Sequence, residues 1–180
     1  STPFIKTGGL ADVVNDLSRN LVKLGIKTNV ILPLFSKIKE RYQASMKKLF
    51  SKIIAFDDDT YKISVHQLDY KNVNYYFIEY FKFFEREDIY GYDDDCLRFA
   101  FFNQAVVEVI DMIDNFDLLH LHDWHVGLIP LIIKQRAIDM KTLLTIHNID
   151  YQGQCTLDTL KALKLDAPIR EDSVNFLEQG

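Results

Sequence analysis

The chain has 180 residues, about one ordinary domain and enough for a real hydrophobic core. Its composition, 48% apolar and 26% charged, is that of a folded globular protein and excludes a disordered or collagen-like chain. A formal net charge of -5 argues against nucleic acid as the main partner, because phosphate-backbone binding calls for a basic face. No apolar run approaches the roughly 18 residues that span a bilayer, and no N-terminal signal pattern is present, so a cytoplasmic protein without membrane contact is expected. Cys96 and Cys155 are too few and too unpatterned for a disulfide framework or a zinc site, and are expected as reduced thiols.

Near the front stands PFIKTGGLADVV, residues 3 to 14, a lysine and two adjacent glycines ahead of an amphipathic run. Leu10, Val13, Val14, Leu17, Leu21 and Leu24 recur at helical spacing, with Gly25 where a C-terminal cap belongs, so a helix is predicted. KTNVILP then reads as a short buried strand stopped by Pro33. The basic stretch SKIKERYQASMKKL, residues 36 to 49, fits an exposed helix or a mobile loop equally well. KIIAF, KISVHQLDY and NVNYYFIEY alternate with the polar turns DDDT and KN, as strands of a hairpin or meander do.

After the acidic loop FFEREDIYGYDDD, residues 95 to 113 form a long apolar helix that should be largely buried. FDLLHLHDWH is the next strand and its exit, WHVGLIPLIIKQRAI has helical length despite Pro130, KTLLTIHN is a further strand and TLDTLKALKL a short helix. Strands separated by helices imply an α/β fold, a parallel sheet of Rossmann-like type with right-handed crossovers. In such sheets the ligand crevice lies outside the carboxyl ends of the strands. The conspicuous polar clusters, KTGG, LHLHDWH and TIHNIDYQG, each fall at such an end. A KTGG loop should follow a strand, yet only five residues precede Lys6 and no initiator Met is present. A fragment is therefore expected, lacking a first strand and much that follows NFLEQG, with residues 1–180 forming part of one domain and no second domain within them.

The chemistry of these clusters points to an anionic ligand. The N–H groups of Gly8 and Gly9, the positive end of the following helix and the Lys6 ammonium can all oppose negative charge. Asp12, in the first turn of that helix, needs no role beyond favouring the helix dipole. His120 and His122 lie two apart on a strand and share a face, with Asp123, Trp124 and His125 at its exit. Histidine and aspartate are zinc ligands, but His120 falls inside the strand, where a hydrogen-bonded core imidazole is the usual state. Trp124 is expected as core or pocket wall and His125 as a helix cap. Asp95 and Arg98, at i and i+3, are placed for an ion pair.

A dinucleotide-binding dehydrogenase would show G-x-G-x-x-G and an acidic residue at the end of the next strand, roughly 20 residues on. Here that strand ends ILPLF, with no acid. A binding module that does no chemistry is the other alternative.

PFIKTGGLADVVNDLSRNLVKLGIKTNVILP, DLLHLHDWHVGLIPLIIK and TIHNIDYQG resemble, in order and spacing, the N-terminal signatures of bacterial glycogen synthases and plant starch synthases. The resemblance covers nearly all of the chain. It implies a retaining glycosyltransferase of GT-B architecture that moves glucose from ADP-glucose to the non-reducing end of an α-1,4-glucan such as glycogen. It places Lys6, Gly8 and Gly9 at the donor diphosphate, where charge builds as the glycosidic bond breaks.

The resemblance also puts Asp123 near the transferred glucose, to orient hydroxyls or to stabilise positive charge at the anomeric carbon. His147 falls at the donor glucose through its backbone or its ring. Tyr151, Gln152 and Gly153 would line the acceptor side or shape the loop, and Tyr90 or Tyr92 would offer a ring to glucan. Where the family usually has alanine this chain has Asp150. The resemblance assigns the remaining catalytic groups, an Arg/Lys pair and a glutamate, to a second Rossmann-like domain that cannot be located here, so the isolated chain is expected to show no turnover. No cofactor and no metal are expected, since protein cations meet the phosphates.

Overall fold

The apolar repeat that begins at Leu10 folds as helix α1, Gly9–Lys23, in a computed structural model that describes residues 2–5, 8–165 and 173–180. The chain then turns through Leu24 and Gly25 and enters strand β1, Asn29–Pro33. The basic stretch left open between helix and loop forms helix α2, Ser36–Tyr42, followed by a 3-10 turn, Gln43–Ser45. One fully buried residue, Ile38, anchors α2, while Lys37 and Arg41 stay exposed and Lys39 is half-buried. Strands β2, Lys47–Phe56, β3, Asp59–Tyr70, and β4, Val73–Glu79, follow, and a short helix α3, Phe81–Phe84, ends the run.

These strands make one sheet in the order β1-β4-β3-β2. β1 lies parallel to β4, from Asn29 opposite Asn74 to Pro33 opposite Ile78, and β3 lies antiparallel to β4. Lys71 and Asn72, both at positive φ, form the tight turn between β3 and β4 whose twist matches the strands it joins. β4 is covered on both faces, which is why its sequence runs apolar from Tyr75 to Ile78 instead of alternating. Phe4 is 4.5 to 5.6 Å from the rings of Tyr42, Tyr70, Tyr75 and Phe77 and ties the front of the chain to this sheet.

Ser1–Lys52 with Lys62–Tyr90 form one compact unit; Ile53–Tyr61 with Gly91–Gly180 form a second. The second is built on helix α4, Asp95–Ile113, whose apolar residues run all round it and bury accordingly. Strand β5, Leu118–His122, leads through a 3-10 turn, Trp124–Val126, to helix α5, Ile129–Gln135, and then to β6, Lys141–Thr145. The helix expected over residues 124–138 is thus divided. Pro130 sits in the first turn of α5, where its missing N–H costs nothing, and the residues before it wind more tightly. β5 and β6 are parallel, from Leu118 opposite Lys141 to His122 opposite Thr145. The chain continues with β7, Gln154–Thr156, α6, Asp158–Leu163, β8, Ser173–Asn175, and α7, Phe176–Gln179; β7 and β8 pair antiparallel.

The expected α/β organisation is present, with parallel pairing at β1–β4 and β5–β6. One expectation is corrected. Cys96 and Cys155 are not reduced thiols but a disulfide, with Cα atoms 5.7 Å apart. Packing of β7 on α4 brings the two together across 59 residues of sequence, so no local spacing announces the pair. Among the described residues, no helix is long and apolar enough to cross a membrane.

Candidate active site

The carboxyl ends of β5 and β6 gather the polar residues of LHLHDWH and TIHNIDYQG in the second unit. The strand alternation puts His120 and His122 on one face, with ring centroids 4.3 Å apart. His120 Nε2 lies 2.7 Å from Thr145 Oγ1, and His122 Nδ1 lies 3.0 Å from Nε2 of His147. Asp123 leaves β5 at φ 61°, ψ -177°, a region L-residues rarely enter, while its N–H donates to Thr145 O at 3.0 Å. That backbone sends its carboxylate inward, at 6% exposure. There Oδ1 accepts the N–H of His147 at 2.6 Å and that of Asn148 at 3.3 Å.

The loop that follows β6 is held at both ends. Asn148 Oδ1 accepts the Asp150 N–H, Gln152 Nε2 donates to Ile149 O, and Asn175 Nδ2 donates to Gln152 Oε1. Gly153, at φ 65°, passes so close to Trp124 that a Cβ would come within 2.5 Å of its ring. Between these ends Ile149 and Tyr151 project outward, Tyr151 at 68% exposure. Trp124 packs against Phe99, His125 and Phe176 and is a wall of this loop.

Asn103 is a residue that sequence reasoning missed. It is fully buried in α4, and its amide donates to the carbonyls of Phe99 and His125 and accepts the Leu128 N–H. It therefore clamps the 3-10 turn directly after Asp123. Its only signal in the sequence is a polar amide among the apolar residues of a largely buried helix.

Burial favours the neutral imidazole at His120, His122 and His125. It pushes His122 down to about 4, with the neighbouring His120 and His147 adding to the effect and Asp123 opposing it. His120 is lowered by burial and then by His147. His125, packed against Phe99 and Trp124, is pushed down to about 4 by burial, Asp123 again opposing and Arg98 adding. Among the described residues, no group of three or more His, Cys, Asp or Glu side chains is arranged to hold a metal ion.

Asp123, His147 and Gln152 thus belong to the second unit, joined to it by hydrogen bonds, and Tyr151 stands exposed on the same loop. Gly8, Gly9 and Tyr90 belong to the first unit. Gly8, at φ 157°, is the N-cap of α1, and among the described residues an added Cβ at Gly8 or Gly9 would meet nothing within 4 Å. Lys6 lies outside the described residues. Asp12 accepts a hydrogen bond from Thr2 Oγ1 at 2.9 Å. Arg98 is fully buried, donates to Asp95 as the i, i+3 spacing requires, and lies 5.2 Å over the rings of both Tyr92 and Phe99.

A family model described as the starch synthase catalytic domain matches residues 1–180. The chain belongs to that family. It is 36% identical to a glycogen synthase of Anoxybacillus flavithermus over 183 residues, covering 98% of this chain and 38% of the relative. A glycogen synthase of Halalkalibacterium halodurans is 37% identical, covering 98% of this chain and 39% of the relative, and one of Exiguobacterium sibiricum is 41% identical over 85% and 34%. The fold matches the catalytic domain of starch synthase IV from Arabidopsis thaliana bound to ADP and acarbose, with a TM-score of 0.88 and 27% identity. That match covers 99% of this chain and 40% of the plant chain. The chain therefore spans about two fifths of the length of the family members it resembles.

Proposed function

We propose that the polypeptide carrying this chain is a glycogen synthase: it transfers glucose from ADP-glucose to the non-reducing end of an α-1,4-glucan with retention of configuration. The observation that carries this reading is the match of the starch synthase catalytic-domain model to the whole 180 residues. The ADP and acarbose in the solved plant relative support a nucleotide donor and a glucan acceptor.

In this reading the amides of Gly8 and Gly9, the N-terminus of α1 and Lys6 oppose the charge that grows on the departing diphosphate. That no other described residue comes within 4 Å of a Cβ added at Gly8 or Gly9 supports it, since a phosphate must approach the backbone closely. Asp123 and His147 serve the glucose. Asp123 acts by shaping the loop through its Oδ1, and His147 by contacts from a fixed ring and backbone. Tyr151, exposed beside them, and Tyr90 are acceptor-side groups, and Gln152 holds the loop. The protein needs neither cofactor nor metal. A nucleotide-sugar donor implies a cytoplasmic reaction. The 180-residue chain alone does not turn over, because the rest of the polypeptide supplies further groups to the diphosphate and sugar.

The test is ADP-glucose-dependent elongation of glycogen by the full-length protein and, in parallel, by the chain alone, with UDP-glucose as the competing donor. Expected are ADP release and growth of α-1,4-linked product by the full-length protein only, unaffected by chelators. Lys6→Gln should weaken donor use by about ten-fold or more, the effect of losing a charge-assisted contact to phosphate. A full-length protein that elongates no glucan with ADP-glucose would end this reading.

A further inference from the structure

The end of β5 fixes His147 twice. Asp123 Oδ1 takes its backbone N–H at 2.6 Å, and the preceding residue, His122, meets its ring with Nδ1 3.0 Å from Nε2. The two rings lie 5.2 Å apart between centroids at 33°. A hydrogen bond between two imidazole nitrogens contains a single hydrogen, carried by one ring and accepted by the other. Whichever ring carries it, Nε2 of His147 is engaged. His122 is itself restrained, its ring packed at a tilt 4.3 Å from that of His120, whose Nε2 bonds Thr145 Oγ1.

We propose that His122 is a positioning residue: by engaging Nε2 of His147 it sets the rotation of that ring and leaves Nδ1 as the nitrogen presented to the hexose. The proposal rests on reading His147 as a sugar-facing group. A ring on an otherwise exposed loop has two rotatable bonds and two interchangeable nitrogens, and both freedoms oppose a single productive geometry. Burial supports the arrangement, because an uncharged His122 carries a single ring hydrogen at neutral pH, so its bond to His147 Nε2 has one donor and one acceptor and selects one tautomer of each ring.

Two variants of the full-length protein test this. His122→Asn keeps a polar atom near the place of Nδ1, and His122→Leu keeps bulk without one. In glucan elongation His122→Leu should lower kcat about ten-fold with donor KM within about two-fold, and His122→Asn should keep kcat within about three-fold. Long-range proton-nitrogen NMR spectra of the His147 ring supply a readout that needs no turnover. One tautomer is expected in the unaltered protein and in His122→Asn, and tautomer averaging in His122→Leu.

Unaltered kcat in His122→Leu, or equal losses in both variants, would overturn the proposal. So would a His147 ring that averages tautomers in the unaltered protein, or one whose spectrum His122→Leu leaves unchanged. If the unaltered protein elongates no glucan, the functional reading fails and the spectra alone decide this proposal. If His122→Leu does not fold, the spectra of the unaltered protein and His122→Asn decide it in the same way.

Discussion

Asp123 carries strain and order in the same residue. Its φ of 61° with ψ of -177° costs on the order of 1–3 kcal/mol for a side chain with a Cβ, and the conformation persists because its surroundings over-determine it. Those surroundings are specific. The Asp123 N–H extends the β5–β6 pairing to Thr145, Asn103 clamps the turn behind it, and the carboxylate gathers two backbone N–H groups from the next loop. The acceptor matters more than the charge for holding that loop. Asp123→Asn should leave amide exchange at His147 and Asn148 within about three-fold of the unaltered protein, whereas Asp123→Ala should speed it by about ten-fold or more, as loss of a buried charge-assisted bond implies. Equal exchange in the two variants would mean that the loop is ordered by other contacts.

The elements that position this residue were readable to very different degrees. Helix α4 runs from Asp95 to Ile113 as the sequence implies, because an apolar run bounded by acidic residues leaves little choice of ends. The clusters at the ends of β5 and β6 were legible because strand-ending polar residues stand out against Leu and Val. Their mutual bonds were not. His122 and His147 are 25 residues apart, and only the register of Leu118 on Lys141 brings them together. Asn103 was illegible for a related reason, since an amide in an apolar helix does not say which carbonyls it will serve. β7 and β8, three residues each, are too short for any periodicity and depend on tertiary pairing.

The same dependence on tertiary structure hid the Cys96–Cys155 bond, which joins the first turn of α4 to β7, just after the His147 loop. Closing 59 residues of chain removes conformational freedom mainly from the unfolded state. Reduction, or Cys155→Ser, should therefore lower stability by about 2–4 kcal/mol, read as a lower urea midpoint. Thiol counting in denaturant without reductant should find no free thiol before reduction and both cysteines after it. An unchanged midpoint on reduction would show that packing of β7 on α4 supplies the order alone.

At the scale of the whole molecule, the two compact units carry different acid-sensitive groups and should respond to pH in different windows. In the second unit, the folded His122 and His125 titrate at about 4 because burial opposes their charge, against about 6.5 for an ordinary histidine. The unfolded chain therefore takes up these protons first. Stability falls as pH drops from about 6.5 towards 4, by on the order of 1–2 kcal/mol per ring once solvent screening is allowed for.

In the first unit the relevant group is Glu79, at the end of β4. Burial pulls its carboxyl up, but hydrogen bonds from Lys39 and His66, at 2.9 Å each, outweigh that and hold it below its ordinary 4.5. Lys39 also bonds Glu85, so the carboxylate sits in a network rather than a single pair. This contribution is complete above about 4.5 and is lost only as pH falls through the lower folded value. Hydrogen exchange corrected for the intrinsic pH dependence separates the two effects. Between pH 7 and 5, protection in α4 and β5 should decline while protection in β4 holds, and His122→Asn should flatten part of the decline. A parallel fall in β4 over that range would show that the units do not titrate separately and that the buried imidazoles are not the source.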